Sequence, residues 1–265
     1  MTLPFLILLV ALRAAAVAPP ALGPSDAGAI MKVLCEDELK KDEKGWVCVS
    51  PPTEEGGPPV ERRWLMARSG RFVAHPDEWL VGLDLGCDRG CEGETHVLRK
   101  VGGAWRRTHA IELYVPLGAN CVPFGGMPDG LDRLVCQGAS GPHQGFMFER
   151  VIAISFAGGE ATEHRLLEKS QGGECFLDPP GAAHHEDAVT IQRERPTDPA
   201  VAFTVGLEVR RAPCVGPTND DWHGPIVTKG RHVLRFLRKG NDVVPDAASA
   251  KILEAEGWAP EAAGP

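Results

Sequence analysis

Glycine and proline punctuate this chain so densely that long regular helices have little room between them. With 31 Gly and 23 Pro, about one residue in five of the 265 is one or the other, well above ordinary usage. Both residues interrupt helices. The apolar runs left between them are short and separated by Gly, Pro and Asp turns at fairly even spacing. That rhythm belongs to all-β sandwiches, barrels and propellers.

One pattern recurs along the chain. An apolar strand ends near a cysteine, a loop follows, and a hairpin turning on glycine comes next. Trp46–Val49 and Arg63–Val73 form the first copy. Trp79–Cys87 opens the second, whose hairpin runs from His96 to Leu113 around Gly102-Gly103. The third has Arg133–Cys136, then Val151–Phe156 turning at Gly158-Gly159 into Glu163–Leu167. In the fourth, Ala202–Val209 leads to Cys214, and Val233–Leu237 turns at Lys239–Asp242 into Val243-Val244. Units of about 35 to 55 residues match a propeller blade or a comparable sheet unit. The sequence therefore predicts an all-β fold of about four strand–loop–hairpin units, propeller-like, with a β-sandwich of two packed sheets as the alternative. Two short helices flank it. One is expected over Asp26–Lys41, capped by Ser25 or Asp26; the other follows Pro245, capped by Asp246 and ending at Gly257.

The N-terminus reads as a secretory leader, with an apolar run from Leu3 to Leu12 and small residues up to Ala16-Val17-Ala18. The run is shorter than the roughly 20 apolar residues that span a bilayer, and no later segment is long and apolar enough to do so. The expected organisation is a signal peptide over 1–23 and a single disulfide-stabilised β domain over 24–265. The expected destination is secreted or periplasmic. Cysteine usage agrees. There are eight, Cys35, Cys48, Cys87, Cys91, Cys121, Cys136, Cys175 and Cys214, an even number behind a leader. Eight cysteines allow 105 pairings; pairing of sequence neighbours is the simplest (Cys35–Cys48, Cys87–Cys91, Cys121–Cys136 and Cys175–Cys214), and each bond would then lie within one unit. Zinc fits poorly, because no Cys-x2-Cys pair occurs and Cys87-x3-Cys91 has no second pair to complete a four-ligand site.

A formal net charge of −8 argues against general nucleic-acid binding, which needs a basic face to neutralise phosphates. Residues Phe124-Gly125-Gly126-Met127-Pro128-Asp129-Gly130-Leu131-Asp132-Arg133-Leu134-Val135 resemble the FG-GAP or VCBS-type repeat of secreted β-propellers. In that family an acidic, glycine-containing turn precedes an apolar strand. The resemblance implies a propeller-like, extracytoplasmic architecture. It does not carry calcium binding over, because Ca²⁺ takes six to eight oxygen ligands and this turn offers the carboxylates of Asp129 and Asp132.

Few residues suggest chemistry. His184-His185-Glu186-Asp187 is the densest group of candidate metal ligands, yet adjacent strand residues point to opposite faces, and the run after Pro179-Pro180-Gly181 reads as a solvated loop. No Gly-x-Ser-x-Gly elbow and no phosphate-binding glycine loop occurs. Trp222-His223, in a loop beside Asp220-Asp221, is the candidate ligand-binding pair, since an exposed indole can stack on a sugar or anchor a partner. The sequence thus points to an exported, non-catalytic β-repeat protein without a cofactor. It would serve as a binding or structural module at the cell surface or in the periplasm, its partner a protein or a glycan. Two alternatives stand beside it. One is a secreted metal-dependent hydrolase of glycan or peptide, built on His184–Asp187, Asp129 and Asp132; the other is a calcium-stabilised adhesin.

Overall fold

A computed structural model describes residues 22–52, 59–87, 91–112, 120–143, 146–171, 175, 182–192, 196–218 and 221–258. The expected leader over 1–23 lies almost wholly outside them. The fold is all-β, built from antiparallel strands with one short helix towards each end. Among the described residues no helix is long and apolar enough to cross a membrane.

Three sheets follow one another along the chain. The N-terminal sheet is a meander of six strands, β1 (Glu38–Asp42), β2 (Gly45–Ser50), β3 (Val60–Gly70), β4 (Glu78–Cys87), β5 (Cys91–Val101) and β6 (Ala104–Glu112). The middle sheet has four, β7 (Asn120–Phe124), β8 (Arg133–His143), β9 (Phe146–Ser155) and β10 (Thr162–Gln171). The C-terminal sheet is organised around the long β13 (Val201–Thr218). Beside it lie β11 (Ala183–His185), β12 (Ala188–Ile191), β14 (Asp221–His223) and β15 (Val227–Lys239), and β15 in turn pairs with β16 (Asp242–Pro245).

The glycine turns fall where the sequence puts them. Val101 pairs with Ala104 across Gly102 and Gly103. Both glycines hold positive φ, 61° and 83°, as a tight hairpin between right-twisted strands requires. The first two expected units, however, share one continuous sheet. Glu78 explains why. Its buried carboxylate accepts the backbone N–H groups of Phe72 and Val73 at 2.7 Å, Ala74 at 3.0 Å and His75 at 2.9 Å. The Arg71–Asp77 loop thereby closes into a tight turn, and β3 and β4 stay hydrogen-bonded neighbours.

Strand alternation sets the packing, since successive side chains point to opposite faces. In the middle sheet Leu134, Cys136, Ile152 and Ile154 pack against Met66, Leu80 and Val97 of the N-terminal sheet. Their neighbours Val135, Val151 and Ala153 pack instead against Val205, Leu207 and Phe236 of the C-terminal sheet. The middle sheet is therefore buried on both faces.

Helix α1 (Pro24–Leu34) covers the other face of the N-terminal sheet, setting Ile30, Met31 and Leu34 on Val81, Leu83 and Leu98. It differs from the expected Asp26–Lys41 helix at both ends. Gly23 caps it, and Pro24 supplies the preset φ of a first helical residue. Asp26 sits inside the first turn, where its carboxylate accepts Gly23 N–H at 3.2 Å, Lys100 Nζ at 2.8 Å and Trp105 Nε1 at 3.1 Å. At the far end Cys35 leaves the helix in extended conformation, and residues 38–42 join the sheet as β1. Helix α2 (Ala247–Ala255) matches expectation, its N-cap Asp246 accepting Ser249 N–H at 2.8 Å. Leu253 and the following Trp258 complete the core of the C-terminal sheet.

Three disulfides are described, Cys35–Cys48, Cys121–Cys136 and Cys175–Cys214, and each joins sequence neighbours. The first fastens the end of α1 to β2. The second joins residues directly opposite in the β7–β8 register. On the backbone Cys87 and Cys91 face each other across β4 and β5, but their side chains lie outside the described residues. These bonds belong to an oxidising, exported setting.

Candidate functional site: a cleft where three sheets meet

β7 is an edge strand of the middle sheet, pairing with β8 on one side only. Its other edge opens into a cleft of about 1090 Å³ whose walls come from all three sheets. Pro123 stands in the middle of this strand. Proline has no N–H to give to a ladder, so within sheets it belongs on edges.

Two arginines from the flanking sheets reach across to this edge. Arg68 of β3 donates Nε to the carbonyl of Cys121 at 2.8 Å. Arg238 of β15 donates Nε to the carbonyl of Gly125 at 2.8 Å. Charged side chains along an unpaired edge keep another strand from adding to it. The cleft therefore presents side-chain chemistry and not a template for a β-strand.

Arg238 is held firmly. Its Nη1 also donates to the carbonyls of Pro199 at 2.7 Å and Val201 at 2.6 Å. Among the described residues it meets no carboxylate, and its Nη2 has no hydrogen-bond partner. Burial lowers its pKa from the usual arginine value. Opposite, Asp132 accepts Arg71 N–H at 2.7 Å through Oδ2, while its own N–H donates to Arg71 carbonyl at 2.6 Å. This reciprocal pair ties the turn after β3 to the start of β8. Asp132 packs so closely on Gly70 and Gly125 that a Cβ at either position would overlap its carboxylate oxygens. Half-buried Trp64 and Trp79 and buried Phe124 and Phe203 line the cleft as well.

The candidates named from the sequence are distributed over two places. The Phe124–Val135 segment contributes Phe124, Gly125, Gly126 and Asp132 to the cleft wall. Asp129 accepts Leu131 N–H at 3.0 Å and pairs with Arg133 at 2.9 Å, which fixes the turn. His184 to Asp187 lie far along the C-terminal sheet, on and after β11, and they are not a solvated loop. His184 is 6% exposed and Asp187 1%, because β13 pairs with β11 on one side and covers the chain that follows.

Asp187 is the anchor of a buried ion cluster. It accepts Lys169 Nζ at 2.8 Å, Arg210 N–H at 3.0 Å and Trp258 Nε1 at 3.2 Å, and it pairs with Arg211. Arg211 also binds Glu256 at 2.7 Å. Burial alone would raise the Asp187 pKa, but Lys169, the Arg210 amide and Arg211 outweigh it and hold it below the usual range. His185 accepts Lys169 Nζ at 3.1 Å through Nδ1. Glu186 keeps one buried carboxylate oxygen without a partner among the described residues.

His184 stacks on His223, which joins two separate sequence candidates in one place. His223 Nδ1 donates to the Gly224 carbonyl at 2.9 Å; the Trp222 side chain lies outside the described residues. Among the described residues no three His, Cys, Asp or Glu side chains converge as a metal-binding group.

Sequence reasoning passed over Arg68 and Arg238. In sequence, Arg238-Lys239-Gly240 reads as ordinary solvated charge before a turn. Only the placement of β15 beside the open end of β7 gives Arg238 its role. In comparison with family models, curated proteins and solved structures, the chain matches none.

Proposed function

We propose that this chain is an exported, non-catalytic binding module that works at the cell surface or in the periplasm, and that its ligand seats in the three-sheet cleft. The observation that carries this reading is the cleft itself. It combines the concavity and aromatic lining of a ligand site with a guanidinium fixed by three carbonyls and, among the described residues, paired with no acid. Binding is favoured over hydrolysis because Asp129 and Asp187 are both engaged in ion pairs. In this reading the three sheets pack radially as propeller-like blades in preference to a flat sandwich. What supports that is the contribution of every sheet to one cleft.

Native and denaturing mass spectrometry of the chain recovered after export tests the proposal. The expected result is a mature mass without the leader, all eight cysteines oxidised, and a fraction carrying a small ligand that Arg238→Gln removes. A retained transition metal lost on His184→Ala, with free thiols, would overturn the proposal in favour of the metal-dependent hydrolase.

A further inference from the structure

Two opposite charges in the cleft stand one residue apart and do not meet. Arg238 donates to the Gly125 carbonyl from one side. Asp132 Oδ1 lies where a Cβ on the same glycine would stand. Gly125 has no side chain to separate them further, and the next residue, Gly126, holds φ at 79° with Arg238 lying over it. Each charge is fixed by main-chain groups, Arg238 by three carbonyls and Asp132 by the Arg71 amide. Each keeps one face unused: among the described residues neither Arg238 Nη2 nor Asp132 Oδ1 has a partner. The other carboxylate on the cleft wall differs. Asp198 is occupied by Arg235 at 2.6 Å and by Ala200 N–H at 2.9 Å.

Fixed, unsatisfied charges of opposite sign on an aromatic-lined wall have a defined complement. A guanidinium takes a carboxylate through parallel N–H···O bonds, and a carboxylate takes an ammonium. Trp64, Trp79, Phe124 and Phe203 offer apolar surface beside them. Resting on the reading of the cleft as a ligand site, we propose that it binds a small zwitterion of the amino-acid or short-peptide kind. The carboxylate would sit on Arg238 and the ammonium on Asp132, with the apolar side chains against the aromatic wall. The volume of about 1090 Å³ leaves room for a dipeptide or tripeptide as well as a single residue.

The test is a calorimetric titration of the full mature chain, followed in parallel by tryptophan emission. The probes are L-phenylalanine, Phe-Phe, their N-acetyl and methyl-ester forms, and a neutral disaccharide. The expected result is that a free zwitterion binds and that blocking either end weakens it at least tenfold. Tighter binding of the dipeptide than of the amino acid would identify a peptide ligand; the reverse would identify the single residue. Asp132→Asn keeps an oxygen for the Arg71 amide and removes the charge, so it should weaken the zwitterion tenfold or more with an unchanged melting temperature. Arg238→Lys provides the matching variant at the other end. Equal affinity for blocked and free probes would overturn the zwitterion. Disaccharide binding without zwitterion binding would overturn it while leaving the cleft a ligand site. Silence from every probe would overturn the zwitterion, and the mass-spectrometric ligand search would then decide the cleft reading separately.

Discussion

His184 and His223 stack face to face, their ring centroids 4.5 Å apart and their planes within 5° of parallel. The contact joins β11 to β14 across β13. Burial, then the neighbouring His223, lowers the His184 pKa, and Glu186 works the other way. The folded state therefore favours the neutral ring. The stability this contributes is present above the unfolded histidine pKa of about 6.5 and is lost as pH falls from there towards the lower folded value. Denaturant unfolding should show a midpoint that drops from about pH 8 to about pH 5, and His184→Phe, which keeps the stack, should flatten that drop. An unchanged slope in the variant would move the effect to another group.

Asp187 neutralises Lys169 and Arg211 inside the C-terminal sheet and receives the Trp258 indole N–H. Removing it leaves Arg211 with the Glu256 carboxylate alone and Lys169 with no acid among the described residues, held by the Glu256 carbonyl and His185. Asp187→Ala should cost about 3–5 kcal/mol, the range for breaking a buried pair, and it should release α2, with a red shift of Trp258 emission. Because its pKa is depressed, the native carboxylate keeps its contribution above the unfolded value of about 3.9 and loses it as pH falls below that, well separated from the His184 window.

Glu78 gathers four amide donors onto one carboxylate. Glu78→Gln replaces an accepting oxygen with an NH₂ group aimed at two of those donors. Each unsatisfied buried donor costs about 1–3 kcal/mol, so the variant should lose about 3 kcal/mol. Amide exchange of residues 72–75 should rise in the variant before global unfolding, and protection equal to wild type would show that the turn does not depend on the acid.

The Cys121–Cys136 bond fixes the strand that floors the cleft, closing a loop with a sequence separation of 15. Replacing both cysteines by serine should cost about 3 kcal/mol on the chain-entropy account. Loss of cleft binding should accompany it at temperatures well below the melting point. A variant that melts early yet still binds would show that the hydrogen bonds from Arg68 and Arg238 hold β7 unaided.

Local features of this fold are legible in the sequence. Gly102-Gly103 marks its hairpin because positive φ is a property of those two residues, and Asp246 marks α2 because a cap needs only its own next turn. Cys121 and Cys136 pair because the β7–β8 hairpin brings them opposite each other. What depends on placement was hidden. His184 to Asp187 read as solvated because Pro and Gly precede them, whereas beside β13 His184 and Asp187 are buried and the two between them half-buried. The turn that carries the sheet on from β3 into β4 is closed by Glu78, an acid that carries no strand or turn signature of its own. The cleft was half visible. Phe124 to Asp132 stood out by its turn chemistry, but Arg238 lies 113 residues from Gly125, and no local pattern connects them.

In each of the three described disulfides no other cysteine lies between the two partners along the sequence. A chain emerging from its N-terminus into an oxidant reaches Cys48 with only Cys35 waiting, and closing each new thiol onto the last free one leads directly to the three described bonds. Non-consecutive connectivities need wrong bonds to be broken and exchanged. These three are written in order of appearance, so they can close one after another, sheet by sheet, before the last strand has arrived.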